Sequence, residues 1–156
     1  MRPSKAFILF TLPAFLLLML NVQAQELAAA TTTRTTILEN VVKERPLLGE
    51  LLTTAGLLPV LSGDAPYTLF APPEAALQEL KGQSAEQIRT VLAGHIVKGR
   101  YTEKDLKDGA TLQTLSGQSI TICRKNNTLV NGVTIIKADT ELKNGVVHAL
   151  SGALNY

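Results

Sequence analysis

A chain of 156 residues with 46% apolar content and a single cysteine has room for one domain with its own core and no need of disulfide staples. Its formal charge of +2 comes from Arg2 and Lys5 in an export signal. The mature domain is therefore neutral and exerts no general pull on nucleic acid or anionic lipid.

Residues 1–24 read as a secretory signal peptide. Arg2 and Lys5 form its basic start, Phe7 to Leu20 is a nearly unbroken apolar run, and Val22-Gln23-Ala24 supplies a cleavage site after Ala24. The run is shorter than the ~20 residues that span a hydrocarbon core, which argues against a retained membrane anchor. No Cys stands near the cleavage point to carry a lipid. Phe7, Phe10 and Phe15 leave with the signal, so the mature aromatics are Phe70, Tyr67, Tyr101 and Tyr156, too few for a base-stacking or sugar-stacking platform. Residues 25–35, with Ala28-Ala29-Ala30-Thr31-Thr32-Thr33, show no apolar period and read as a flexible leader.

The domain, residues 36–156, opens with a Thr36/Glu39 capping box and apolar residues at helical spacing (Ile37, Leu38, Val41, Val42). Pro46 ends this helix and starts another with Leu47, Leu48, Leu51 and Leu52 on its buried face, stopped by Gly56. Leu57 to Leu61, interrupted by Pro59, fits neither pattern well. Tyr67 to Phe70 is a short strand ended by Pro72-Pro73, after which Glu74 to Leu80 forms a helix. A second capping box, Ser84/Gln87, starts a helix that carries Ile88, Val91, Leu92 and His95 on one apolar face. Ile96-Val97 is a brief strand and Thr102 to Leu106 one helical turn.

From Thr111 the period changes to two. Strands are expected around Leu112 and Leu115, Ile120 and Ile122, Leu129 and Val130, Val133 and Ile135, and Val146 to Leu150, separated by Ser116-Gly117, Asn126-Asn127, Asn131-Gly132 and Asn144-Gly145. Asn144-Gly145 is expected to supply the positive φ of a two-residue turn, feeding a terminal strand with one buried face. Cys123, in the alternating run Ser119 to Cys123, is a half-buried thiol. Helices first and strands second give an α+β fold. The isolated Tyr67–Phe70 strand is expected to lie beside the last one.

Little in the chain suggests chemistry. The mature domain has two histidines, His95 and His148, and no His-x-x-x-His or Cys-x-x-Cys spacing, so no metal and no cofactor are expected. His148 is expected to be a buried imidazole hydrogen-bonded to main chain or hydroxyl, and Ser151, three residues on, lies on the opposite strand face. No nucleophile elbow, phosphate loop or dinucleotide fingerprint is present. Asn126-Asn127-Thr128 is a glycosylation sequon on a hairpin tip. Lys98-Gly99-Arg100 and Arg124-Lys125 read as solvated basic turns.

In order along the chain, the opening helices, Thr68-Leu69-Phe70-Ala71-Pro72, the helix ending in His95, Val130-Asn131-Gly132 and Asn144-Gly145-Val146-Val147-His148 resemble a fasciclin domain. The resemblance covers about Thr36 to Leu154. It implies a small β-wedge packed against several α-helices, with Thr68, Phe70, Ala71, Pro72, Asn131, Gly132, Asn144, Gly145, Val147 and His148 as signature positions. It also implies a secreted or surface-attached adhesion module. Several positions depart from the family pattern. Pro73 replaces a side-chain cap, Leu77 a Phe, and Ser151 an acidic residue, while the Tyr-His pair linked to receptor contact is Gly94-His95. Asp139 matches an Asp linked to adhesion, within a different local motif, Lys137-Ala138-Asp139-Thr140.

The resulting expectation is a non-catalytic protein-interaction domain, secreted, periplasmic or at the cell surface. Asp139, His95 and His148 are its candidate binding residues. Its partner would be a protein, matrix or cell surface, with weak self-association as a route to avidity, and with neither nucleic acid nor a membrane span after signal cleavage. One alternative is a small-ligand or enzymatic domain using a cleft near His95 and His148. Another is a regulatory domain for an envelope protein.

Overall fold

Two reciprocal caps start the helical half. Thr36 Oγ1 accepts the Glu39 N–H while the Glu39 carboxylate accepts the Thr36 N–H, opening α1 (Ile37–Glu44), and Ser84 and Gln87 do the same for α5 (Ala85–Ala93). Between them lie α2 (Pro46–Thr54), α3 (Leu58–Ser62) and α4 (Glu74–Leu80). The computed structural model describes residues 34–156, all within one compact unit. The expected signal peptide and residues 25–33 of the leader lie outside the described residues. Thr35, assigned to the leader from sequence, accepts a hydrogen bond from Lys143 N at 2.9 Å.

Helix α2 begins on Pro46, whose missing N–H costs nothing in a first turn. It ends at Gly56 (φ +66), where Gly56 N bonds Thr53 O and Leu57 N bonds Leu52 O, a Schellman closure. The segment around Pro59 is helix α3, because proline within the first turn removes no intrahelical bond. Helix α4 starts on Pro73 with no side-chain cap.

The strands β1 (Tyr67–Ala71), β2 (Ile96–Lys98), β3 (Thr111–Gln113), β4 (Ser119–Arg124), β5 (Thr128–Val130), β6 (Val133–Leu142) and β7 (Gly145–Leu150) form one sheet in the order β2-β1-β7-β6-β5-β4-β3. Its ends meet through a Val97–Thr114 bridge and Leu115 N→Ile96 O at 2.9 Å. The sheet is thus a nearly closed wedge. Neighbours are antiparallel except β1 and β7, which run parallel with Leu69 opposite Val147 and Phe70 opposite His148.

Two cores follow from the alternation of side chains across this sheet. Leu69, Ala71 and Val147 join the helix residues Val41, Leu48, Leu52, Leu77 and Leu92. Phe70 and Leu150 point to the other side, with Val97, Ile120, Ile122 and Val130 inside the wedge.

Several local expectations are revised. Strand β7 is buried at all six residues, not on one face, because helices cover one side and the wedge interior the other. Its turn is Lys143-Asn144, with Leu142 opposite Gly145. Asn144 is not among the positive-φ residues, and Gly145 (φ 156) is already the first strand residue. The expected two-residue geometry occurs instead at Asn131 (φ 47) and Gly132 (φ 81). His95 lies beyond α5, after its C-cap Gly94. Residues 103–105 form a turn without helix, and Leu115 falls outside β3.

Candidate functional site

Most signature residues converge where β7 meets β1, while Asn131 and Gly132 form the β5–β6 turn. Gly145 stands so close to β1 that an added Cβ would fall 1.8 Å from Tyr67 O and 2.6 Å from Ile37 Cδ1. Only glycine lets the parallel strands approach there. Asn144, 4% exposed, uses its whole amide: Oδ1 accepts Ile37 N at 2.8 Å, and Nδ2 donates to Leu61 O at 2.8 Å and Gly63 O at 2.9 Å. One side chain thereby binds the start of α1 and the end of α3 to the sheet. Thr68 Oγ1 donates to Gly99 O at 2.8 Å and accepts Tyr101 N at 2.9 Å.

His148 and His95 are both 0% exposed. The His148 ring stacks on Phe70, and its Nδ1 accepts the Asp139 N–H at 3.2 Å. With Nδ1 an acceptor, the proton sits on Nε2, which donates to Tyr101 O at 2.7 Å. His95 carries the opposite tautomer: Nε2 accepts Leu154 N at 3.0 Å, so Nδ1–H donates to Val91 O at 2.8 Å. Burial holds both imidazoles below the ordinary value of 6.5, against the opposing pull of the Val91 carbonyl on His95 and of the Tyr101 carbonyl, Asp139 and Glu103 on His148. Each is neutral and bonded at both nitrogens. Neither has a lone pair or proton left for a substrate.

Asp139 sits in the irregular stretch of β6 with φ 58, exposed, its Oδ1 accepting Glu103 N at 2.7 Å. It shares the His148 node, whereas the His95 node is built from α5 and the terminal segment; the two nodes meet through Phe70, whose N–H donates to His95 O at 2.9 Å and whose ring stacks on His148. Asn131 joins that second group: Oδ1 accepts Thr121 N at 2.8 Å and Nδ2 donates to Asn155 O at 3.1 Å. Tyr156 completes it, its hydroxyl donating to Gly94 O and its ring filling the space a side chain at position 94 would need.

The arginines of the two basic turns are exposed but bond back to main-chain carbonyls. Arg100 Nη1 donates to Leu142 O at 2.9 Å, and Arg124 Nη1 to Glu103 O at 3.4 Å. Asn126 is exposed in the β4–β5 loop, while the sequon hydroxyl of Thr128 donates to Glu103 Oε1 at 2.8 Å. Cys123 is half-buried. Ser151 follows β7 and is exposed. Among the described residues no buried side-chain N or O lacks a partner, and no group of three or more His, Cys, Asp or Glu is placed to hold a metal.

A cavity of about 450 Å³ opens on the helix side of the sheet, lined from α1, α2, α4, β6 and β7. Val147 and Ala149 form part of its wall, so β7 turns these two toward it and His148 away. This concavity is distinct from the cleft expected near the histidines. Sequence reasoning did not find it, because its residues come from five separate segments and share no motif.

A fasciclin-domain profile matches residues 46–155. The chain belongs to the fasciclin-domain family. Protein sll1735 of Synechocystis sp. is 30% identical over 110 residues, covering 66% of this chain and 83% of that protein. Human periostin is 30% identical over 110 residues, 65% of this chain but 13% of periostin. A FAS1 domain pair from the insect cell adhesion molecule fasciclin I has the same fold, with a TM-score of 0.62 at 18% identity over 80% of this chain and 52% of that one. A fasciclin domain of this kind therefore spans only a small part of periostin. Among the described residues no helix is long and apolar enough to cross a membrane.

Proposed function

We propose that this fasciclin domain is an exported, non-catalytic adhesion or protein-interaction module, acting outside the cytoplasm after removal of residues 1–24. The observation that supports this reading is the consumption of its chemistry-bearing side chains by the fold: both imidazoles and the Asn144 amide are saturated with internal hydrogen bonds. Such groups position surface and do not transform substrate. A relative named as a fasciclin-like arabinogalactan protein, CTB11 of Cercospora beticola, fits this reading.

In this reading His95 and His148 contribute to binding indirectly. His148 fixes the Tyr101 and Asp139 segments, and His95 fixes the terminal segment, so the exposed contact candidate among the three is Asp139. A single interface of this kind is weak, and self-association or a multivalent partner would raise its strength.

The test is to couple the secreted protein to beads and ask whether they retain cells, matrix proteins or envelope proteins above a heat-denatured control. Retention that falls with Asp139→Ala supports the reading. Beads that retain none of the three, from a protein that turns over a substrate, overturn it.

A further inference from the structure

We infer that the cavity between α1, α2, α4 and the β6–β7 pair is a binding site for a small zwitterion of dipeptide size. This goes beyond the adhesion reading and does not depend on it.

Size comes first. About 450 Å³ falls within the ~300–1,000 Å³ of small-molecule sites. Its floor includes Leu48, Leu77 and Val147, all 4% exposed or less, so what the cavity presents to a ligand is mainly its polar and charged rim.

Charge then selects the class. Arg45, Lys137, Glu44 and Glu74 all line the cavity. The side chains of Glu44, Glu74 and Lys137 make no hydrogen bond or ion pair among the described residues, and the Arg45 side chain makes one, Nη1 to Pro72 O at 3.4 Å. The remaining guanidinium donors of Arg45 suit a carboxylate. The wall also includes the start of α2, which has no side-chain cap and adds partial positive charge beside Arg45. A simple anion would face the repulsion of Glu44 and Glu74, and a simple cation that of Arg45 and Lys137. A molecule carrying both an ammonium and a carboxylate meets both signs of charge, and a dipeptide supplies those two ends.

The purified, isotope-labelled protein should be titrated with Leu-Leu and with its N-acetyl and C-amide derivatives while backbone amide signals are followed. Leu-Leu should give saturable shifts centred on Val147, Ala149, Leu48 and Leu77, and blocking either end should weaken binding about tenfold. Lys137→Gln and Glu74→Gln alter exposed side chains and should leave the fold intact, the first reducing the preference for a free carboxylate and the second that for a free amine. Absence of saturable shifts up to about 10 mM, shifts centred elsewhere, or equal binding of the blocked peptides would overturn the assignment.

Discussion

His148 lies flat against Phe70, ring centroids 5.4 Å apart at 21°, and the two are direct partners in the parallel register of β7 and β1. The stack fills the wedge interior while the imidazole nitrogens tether the chain on either side at Tyr101 and Asp139. Packing and hydrogen bonding thus depend on one side chain. His148→Ala should cost about 3 kcal/mol, combining a cavity with two stranded backbone groups. Urea denaturation checks this, and a loss under about 1 kcal/mol would contradict the role.

Acid should loosen the domain. Both imidazoles are held below 6.5 in the fold, so the unfolded chain takes up protons that the folded chain refuses. The stability they contribute is fully present above about pH 6.5 and falls as pH drops through the depressed folded values, by up to about 1.4 kcal/mol per pH unit for each histidine. Denaturation midpoints from about pH 7.5 to about pH 5 measure the slope. Nitrogen NMR should find Nδ1–H on His95 and Nε2–H on His148.

Two glycines with positive φ separate steric need from conformational need. Gly145→Ala drives a Cβ into Tyr67 O and should cost more than about 3 kcal/mol or prevent folding. Gly117→Ala, at φ +85 with nothing within 4 Å, carries only the left-handed strain of about 1–2 kcal/mol. Thermal melts of both variants should show this order.

Asn144→Asp keeps the acceptor for Ile37 N but sets a carboxylate against the carbonyls of Leu61 and Gly63. Loss of two donors from a buried site should destabilise the domain by about 3 kcal/mol. A gap to the unmutated domain that narrows at low pH, where the carboxyl regains one donor, would separate this repulsion from a packing defect.

Gly94→Ala places a Cβ 2.9 Å from the Tyr156 ring, and the half-exposed ring should swing out. Burial raises the Tyr156 phenol above its ordinary 10.0, and release should lower it toward that value with little change in stability. Ultraviolet titration reads the phenolate directly.

The helix starts were legible because a capping box is written within four residues, as at Thr36–Glu39 and Ser84–Gln87. So was the pairing of β1 with β7, since a lone apolar strand needs a neighbour. The role of Asn144 was not: its partners Leu61 and Ile37 lie 83 and 107 positions away, and from its neighbours alone the Asn-Gly pair looks like a surface turn. Alternation in β7 suggested one wet face because sequence does not show that this strand is central and covered twice. His95 was placed on a helix face since nothing local reveals that α5 stops two residues earlier. The cavity had no local signature, and its four charged residues read singly as ordinary surface.

The pairing of residues 67–71 with 145–149 also governs when the domain can come into being. Its central ladder joins Tyr67 to Gly145 and Ala71 to Ala149, so the helices, which all precede β7, can form as they emerge while the sheet must wait for that strand. Such distant pairing favours folding over milliseconds to seconds rather than microseconds. During that interval the apolar faces of β1 and the helices are uncovered, and a chain truncated before Gly145 would keep them so.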